Sequence, residues 1–379
     1  MQIQVNTSMD PDSLQTLMLL RNSRERLRER VKGEIIFAKP LLLFQERGII
    51  YPNTINIIQG KTGVHKSRLV EAICATLLAR EPGHSPNSIG FSRVEPAQRF
   101  RVLYVDTERN ERDQFPFALQ QIKRMAGFGM GDEVPEFDFF SLIQVPRLRR
   151  YQALELYLTL DLERVPGVET VVVLDVITDC VANFNNPDDS MLLLDFLNQQ
   201  ISHHNITFVC VIHENPAGGD KPRGHVGTEL MNKSSSQVQI AFEQDSKRKE
   251  TELIKVTTLK NRVMAKQPPV YMRFDADRHE LVLAEEELIR QGEDDRRTKL
   301  SQGTLLSFLS VNLKEPIASG DLLSLVMDEF DCSRTTALAR VKELLQEGNR
   351  QLISANVTGP RLEKQRRGRN EFYSIVIPN

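Results

Sequence analysis

The sequence predicts an α/β protein: a mostly parallel sheet with an antiparallel extension at its end, followed by a smaller C-terminal unit. Three observations carry that expectation. Short apolar runs alternate with stretches of helical spacing between Ile55 and His213. A glycine-bearing loop, Gly60 to Ser67, joins the first of those runs to the first of those helices. After Ser236 the helices stop, and four strand-like runs follow with short turns between them. Apolar strands alternating with helices mean a parallel sheet covered on both faces. Strands that follow one another closely pair antiparallel.

In chain order, Asp10-Pro11-Asp12-Ser13 offers a helix start, and LQTLMLLRNSRERLRERVKG reads as a long helix, basic towards its end. INIIQ, from Ile55, is the first strand, and SRLVEAICATLLAR the helix after the loop. RVLYVD (Arg101–Asp106), FDFFSL (Phe137–Leu142), TVVVLD (Thr170–Asp175) and TFVCVIH (Thr207–His213) are further strands, with FALQQIKRMAGF and SMLLLDFLNQQISHH as helices among them. SQVQIAFEQ, TELIKVTTLK, PVYMRFDA and HELVLA make the antiparallel meander. EEELIRQGEDDRRTK is polar and charged, a linker. The expected divisions are an N-terminal helical segment 1–36, an α/β domain 37–284, a linker 285–299 and a second domain 300–379.

Composition narrows the class. A chain of 379 residues accommodates about two domains. Its 40% hydrophobic and 26% charged residues are ordinary for a globular protein. The net charge is −2, so any basic surface for nucleic acid must be local. Cys74, Cys180, Cys210 and Cys332 show no C-x-x-C spacing. They read as reduced core thiols, which fits a cytoplasmic protein. No apolar run approaches the roughly 20 residues of a membrane helix, and the N-terminus has no signal-peptide pattern, so no membrane partner is expected.

The loop carries the chemistry. The phosphate-loop pattern is G-x-x-x-x-G-K-[ST]. Gly60 opens it and Lys66-Ser67 close it, but His65 stands where the second glycine belongs. The strand before and the helix after are the confirming context. Backbone N–H groups along Gly60, Lys61, Thr62, Gly63, Val64, His65, Lys66, Ser67 and Arg68 would cradle the phosphates of ATP. Lys66 would reach the β- and γ-phosphates, and Ser67 would ligate Mg²⁺. His65 is tolerable if its position needs a left-handed backbone, because histidine is among the residues enriched at positive φ. Gly63 gives the loop another flexible point.

A metal-assisted ATPase needs a second carboxylate on a neighbouring strand. Asp175 ends TVVVLD at the carboxyl edge of the sheet, where ligands of open α/β sheets bind; Asp179 is close enough in sequence to substitute. RVLYVDTE brings Asp106 and Glu108 to the same edge. Glu108 is the candidate general base that orients the attacking water. Helix capping by an acidic cluster is the alternative.

This succession, a phosphate loop, a strand ending in D-x-E and an apolar strand ending in Asp, resembles the RecA-fold ATPases. Within them the chain looks most like the hexameric plasmid replicative helicases of the RepA type and their DnaB-like relatives. FAKPLLLFQERGIIYPNTINIIQG is similar to the segment that leads into the phosphate loop there. The resemblance spans roughly Phe37 to Ala284, and His65 is its departure. It implies that Glu108 is the catalytic base and Asp175 the metal-side aspartate. A polar sensor ends the next strand, at His213 or Glu214. The glycine-rich stretch ENPAGGDKPRGHVGTELMNKSSS (Glu214–Ser236) would be a loop touching single-stranded DNA in a ring's channel, with Lys221, Arg223 and Lys233 supplying charge. Lys260 and Arg262, the K-x-R pair of TTLKNR, would reach the γ-phosphate held by the neighbouring subunit. The implied protein is a homo-oligomer, a hexamer, working on DNA in replication or mobilisation of a plasmid or other mobile element. The alternative is an ATP-gated DNA-binding adaptor that does no unwinding.

The C-terminal unit reads as helix, turn, helix, strand over ASGDLLSLVMDEFDCSRTTALARVKELLQEGNRQLI, with Ser333 as N-cap and Ala337, Val341, Leu344 and Leu345 as the apolar face of the second helix. NVTGPRLEKQRRGRNEFYSIVI suggests a hairpin with a basic tip: Arg361, Lys364, Arg366, Arg367 and Arg369, opposed by Glu363. The whole looks like a winged helix, which would set the second helix in the major groove of duplex DNA and the wing on its backbone. Arg334, Thr335, Arg340 and Lys342 would face outward. Many winged helices bind protein instead.

Overall fold

The computed structural model describes residues 10–81, 89–162, 165–215, 220–245, 249–265, 267–290, 301–330, 332–353, 359–368 and 370–377. The chain starts with α1 (Pro11–Arg30), capped by Asp10, whose carboxylate accepts from the Ser13 N–H at 2.9 Å. No residue of α1 is buried. Its Met18, Leu19 and Leu20 are exposed, and so are Ile36 and Phe37 after it. Strands β1 (Leu42–Phe44) and β2 (Arg47–Ile50) form an antiparallel pair, which β4 (Phe91–Arg93) later completes.

The main sheet begins with β3 (Ile55–Gly60), which leads through the loop into α2 (Lys66–Leu78). There follow β5 (Phe100–Asp106), α3 (Gln114–Met125), β6 (Phe137–Ser141), α4 (Arg150–Leu160), β7 (Glu169–Asp175), α5 (Pro187–His204), β8 (Ile206–His213) and α6 (Gly224–Lys233). Strands β9 (Ser236–Gln244), β10 (Glu250–Asn261), β11 (Val270–Asp275) and β12 (Glu280–Leu283) end the sheet. The order across it is β12-β11-β10-β9-β3-β8-β7-β5-β6. From β9 to β6 every pairing is parallel, and from β9 to β12 every pairing is antiparallel. The expected mostly parallel sheet with an antiparallel extension is therefore the observed one.

Side-chain alternation explains why both faces are covered. Val102 and Tyr104 of β5, Val171 and Val173 of β7 and Val209 and Val211 of β8 pack with Leu69, Ile73 and Leu77 of α2 and Phe115 and Ile122 of α3. The intervening Leu103, Val105, Val172, Leu174, Phe208, Cys210 and Ile212 pack with α4, α5 and α6 through Leu154, Leu158, Leu193, Leu197, Val226 and Leu230. Such two-sided burial is what continuous apolar runs demand. Cys74, Cys180 and Cys210 are buried thiols within these layers.

A third cluster gathers α7 (Gln302–Asn312), β13 (Ile317–Ala318), α8 (Ser319–Phe330), α9 (Arg334–Ile353), β14 (Arg361–Arg367) and β15 (Asn370–Val376) around Leu305, Leu309, Leu322, Val326, Ala337, Val341 and Tyr373. The small sheet runs β13-β15-β14, antiparallel throughout. The Ser333 hydroxyl caps α9 by accepting from the Thr336 N–H at 3.2 Å, as the sequence indicates. One expectation is corrected. GNRQLI continues α9 and is no strand. The helix α7 is an element the sequence pattern does not announce. In the stretch 285–299, expected as a linker, residues 286–290 are helical, and residues 291–299 lie outside the described residues. Among the described residues, no helix is long and apolar enough to cross a membrane.

Candidate functional site

Parallel pairing brings the carboxyl ends of β3, β5, β7 and β8 to one edge, with Gly60 level with His213 and Asp106 level with Asp175. The loop after β3 starts where only glycine fits. A Cβ on Gly60 would lie 2.3 Å from the Ile240 carbonyl oxygen and 2.7 Å from a Val64 methyl. The loop then adopts positive φ at Gly63 (85°) and at His65 (φ 63°, ψ 29°). His65 thus takes the left-handed conformation that its place in the motif requires, and its ring finds packing that a glycine could not use. It stacks on Phe274 of β11 at 4.4 Å between centroids and meets Phe242 of β9 edge-on at 5.8 Å. Burial and the nearby Arg68 charge lower its pKa, so the ring is held neutral. The imidazole fastens the loop to the antiparallel extension.

Lys66 opens α2 with its side chain buried, and Nζ donates to the Lys61 carbonyl at 2.7 Å. The ammonium therefore folds over the loop. Burial lowers its pKa, while Asp175, Glu108 and Glu214 pull the other way. Glu108 projects from the turn after β5, and its Oε1 lies 3.4 Å from His213 Nε2. That contact, against the opposing effect of burial, holds the Glu108 carboxyl below its usual range.

The two sensor candidates separate clearly in space. His213 reaches Glu108. Glu214 instead is buried, and its Oε1 accepts from Gln59 and Gln239 amides, each at 2.7 Å. Asp175 Oδ2 accepts from the Tyr104 hydroxyl at 2.8 Å and from Arg109 Nη2 at 3.2 Å. Thr107 ties β5 to β7: its N–H donates to the Asp175 carbonyl, and its hydroxyl accepts from the Val176 N–H, both at 2.8 Å. Asp106 does not stand open beside a phosphate. It is buried and accepts from the backbone N–H groups of Glu108 (3.1 Å) and Arg109 (2.7 Å). Asp179 is paired with Arg147 at 2.8 Å and with Arg150 at 3.5 Å.

The stretch 214–236 is not one long loop. Glu214 and Pro222 form an isolated antiparallel bridge, and Gly224 to Lys233 is the helix α6. Gly224 makes the entry possible: at φ 72° its absent Cβ would sit 2.5 Å from the Phe184 carbonyl oxygen. Val226 and Leu230 then bury the helix's inner side, which outweighs the glycine content. Lys221 and Arg223 are exposed before the helix, Arg223 with its guanidinium 4.7 Å over the Phe184 ring, and Lys233 is exposed in its last turn. Residues 216–219 lie outside the described ones.

Lys260 and Arg262 converge on the end of that same helix. Lys260 Nζ donates to the Met231 and Asn232 carbonyls, and Arg262 Nη2 donates to the Asn232 carbonyl at 2.6 Å. Cations at a helix C-terminus satisfy its open carbonyls and its dipole.

On the hairpin β14–β15, Arg361 pairs with Glu363 at 2.7 Å and Lys364 with Glu371 at 2.9 Å. Arg366 is exposed and stands opposite Glu371; Arg367 ends β14, and Arg369 lies outside the described residues. On α9, Arg334, Thr335 and Lys342 are exposed, and Arg340 pairs with Glu343 at 2.7 Å.

Arg109, Tyr104, Thr107 and Glu71 belong to the strand-end constellation, and sequence reasoning singles out none of them. One signal points to Glu71: it is a lone acid inside the otherwise apolar LVEAICATLL.

No protein-family model matches the chain, and no curated protein sequence matches it. Among solved structures it is similar to the RadB recombinase, at 15% identity over 63% of this chain and 94% of that one, with a TM-score of 0.43. It is also similar to the flagellar accessory protein FlaH from Methanocaldococcus jannaschii, at 14% identity over 64% of this chain and 93% of that one, with a TM-score of 0.42. Likeness at this level says nothing about activity.

Proposed function

We propose that the protein binds ATP with Mg²⁺ and hydrolyses it as a RecA-like DNA motor of the RepA type, serving a plasmid or other mobile element. The observation that supports this most is the convergence of Lys66, Glu108, His213 and Asp175 on one strand edge, beside a loop with left-handed turns at Gly63 and His65. A phosphate chain along the loop would meet backbone N–H groups and the N-terminus of α2. Lys66 would exchange the Lys61 carbonyl for a phosphate oxygen. Glu108, kept ionised, would orient a water for in-line attack, and His213 beside it would report whether the γ-phosphate is present.

The Ser67 hydroxyl and the Asp175 carboxylate are hard oxygen donors, which suit Mg²⁺ held by few protein groups and by phosphates. Among the described residues no group of three or more His, Cys, Asp or Glu side chains forms a metal cage, so a cation here would need the nucleotide's oxygens. The metal would neutralise charge between the β- and γ-phosphates.

In a ring, the exposed arm α1 would dock on a neighbouring subunit. Lys221, Arg223 and Lys233 would contact single-stranded DNA, and Arg366, Arg367 and Arg369 of a winged-helix unit would contact duplex phosphates. Lys260 and Arg262 would act across the subunit boundary after leaving the α6 carbonyls. A second reading has its own observation: as long as both cations cap α6 within their own chain, nucleotide could gate α6 without driving unwinding. The protein would then be a DNA-binding adaptor.

The test is ATP turnover with and without single-stranded DNA, followed by a strand-separation assay. Stimulated turnover with unwinding is expected. Lys66→Ala should lower turnover by about 10³-fold, the scale of losing a preorganised charge at the reacting group. Stimulated turnover without unwinding would select the adaptor. Turnover that survives Lys66→Ala would sink both.

A further inference from the structure

The turn after β5 carries a cation that neither the phosphate loop nor the general base accounts for. Arg109 folds back under the strand ends and touches carboxylates from three elements. Nη1 is 3.0 Å from Glu71 Oε1 on α2, Nε is 2.6 Å from Asp106 Oδ2 at the end of β5, and Nη2 is 3.2 Å from Asp175 Oδ2 at the end of β7. Nη2 also donates to the Tyr104 hydroxyl oxygen at 2.9 Å, and that hydroxyl donates to Asp175. The guanidinium lies 5.2 Å over the Tyr104 ring and 5.4 Å from the Phe115 ring.

Glu71, Asp106 and Asp175 are all buried. Buried carboxylates must be paired, take up protons or coordinate a metal. Arg68 shares Glu71 at 2.7 Å, but the described ion pairs of Asp106 and Asp175 are with Arg109. A planar fork with five donors can hold three acceptors in fixed relation, which an ammonium cannot.

The grip has a direction. Asp106 Oδ1 accepts the backbone N–H groups of Glu108 and Arg109, while Arg109 itself holds Oδ2 of the same carboxylate. The turn that aims Glu108 at His213 is thereby closed from both sides. Asp175 is oriented in the same way: Oδ2 takes both Tyr104 and Arg109, and Oδ1 takes neither.

We infer that Arg109 is a positioning residue whose fork fixes the spacing between Glu108 and Asp175, and whose charge keeps Glu71, Asp106 and Asp175 from capturing a divalent cation before nucleotide arrives. The inference rests on the hydrolytic reading above, but half of it can be tested without nucleotide.

The experiment uses the full chain at pH 8 with two variants, Arg109→Gln and Arg109→Lys. Free Mn²⁺, in the absence of nucleotide, is followed by electron paramagnetic resonance, and kcat and KM are measured with Mg²⁺ and ATP. Arg109→Gln removes the charge and the fork. It should bind Mn²⁺ at least about tenfold tighter than the unmutated chain, because three carboxylates lose a buried counter-charge at close range. Its kcat should fall by roughly 10²-fold, the scale of a small misplacement of a reacting group, with KM for ATP changing far less. Arg109→Lys keeps the charge without the fork, so it should lose kcat and gain no Mn²⁺ affinity.

Unmutated kcat in Arg109→Lys overturns the positioning role, and this variant carries the test if Arg109→Gln does not fold. Unchanged Mn²⁺ affinity in a folded Arg109→Gln overturns the role of the charge. If the unmutated chain does not hydrolyse ATP, the hydrolytic reading and the positioning role fall together, while the Mn²⁺ comparison still decides the role of the charge.

Discussion

The strand-end edge and the C-terminal hairpin both collect charge, and they hold it in opposite ways. At the strand ends each group is shared: Asp175 has two partners, Glu71 two arginines, and Arg109 three carboxylates and a phenol. On the hairpin, charges pair one to one. Lys364 and Glu371 meet at 2.9 Å with nearly half of each side chain exposed. Removing one member of a buried pair costs about 3–5 kcal/mol, because the other charge is left stranded. An exposed pair contributes about 0–1 kcal/mol and is screened by salt. The edge is therefore built to hold atoms in place, and the hairpin to project a field. Substitutions at the first should act on geometry and be strongly coupled; those at the second should be graded, nearly additive and salt-dependent.

The sharpest break of that contrast is Glu108→Gln. The change is isosteric and leaves Arg109, Asp106 and Asp175 untouched. Nucleotide should bind as before, while turnover falls by roughly 10²-fold or more, the contribution of a positioned general base. Single-turnover chemistry together with fluorescent-nucleotide binding separates the two. Unaltered turnover would return Glu108 to the alternative reading, a member of an acidic capping cluster.

That prediction can be written from the sequence; the one for Arg109 cannot. Asp175 is legible because an apolar strand that ends in an acid puts that acid at the sheet edge, and Glu108 because it stands two residues beyond Asp106, the acid that ends β5. Arg109 is not legible, because DTERNERD offers Arg109 and Arg112 on equal terms. Partners distant in sequence, Glu71 on α2 and Asp175 at the end of β7, distinguish them by pairing with Arg109. Helix α6 escapes for a related reason: Gly224 and Gly227 signal a loop, and the burial of Val226 and Leu230 against the α5 side of the sheet overrides that signal. Across the hairpin, Glu371 is adjacent to Lys364 only once β14 and β15 are in register. Periodicity is local, and partners brought by pairing are not.

His65→Gly is expected to have a smaller effect, since gain and loss oppose each other. Glycine relieves a left-handed backbone that costs a non-glycine residue about 1–2 kcal/mol. It forfeits the ring packing on Phe274 and Phe242, worth about 0.5–1.5 kcal/mol, and it adds freedom to the unfolded chain. The unfolding free energy from urea titration should therefore change by less than about 1 kcal/mol in either direction, the difference of those terms. ATP turnover should be retained. Complete loss of turnover in a variant of normal stability would mean that the imidazole does chemistry, and the reading of His65 as a loop anchor would fail.

The smallest effects belong to the hairpin, and there the comparison is tested from its other side. If the hairpin serves duplex DNA as proposed, replacing Arg366, Arg367 and Arg369 by Gln in the full chain should weaken binding to a similar degree for all sequences, because phosphate contacts carry no sequence information. Fluorescence anisotropy between 50 and 200 mM salt, the range over which phosphate neutralisation shows, should give a log–log slope shallower by about 0.9 for each phosphate no longer neutralised. The three charges should contribute additively, unlike the coupled groups at the strand ends. Glu371→Gln should act in the opposite sense: it frees Lys364 and removes an acid facing Arg366, so binding should tighten by no more than about fivefold, the equivalent of an exposed pair, and the gain should fade with salt. If the triple variant binds duplex with the unmutated slope, the hairpin's field does not serve DNA, and the unit is to be paired with a protein. If instead Glu371→Gln unfolds the unit, the hairpin resembles the strand ends after all, and the contrast between a held charge and a projected one does not hold for this molecule.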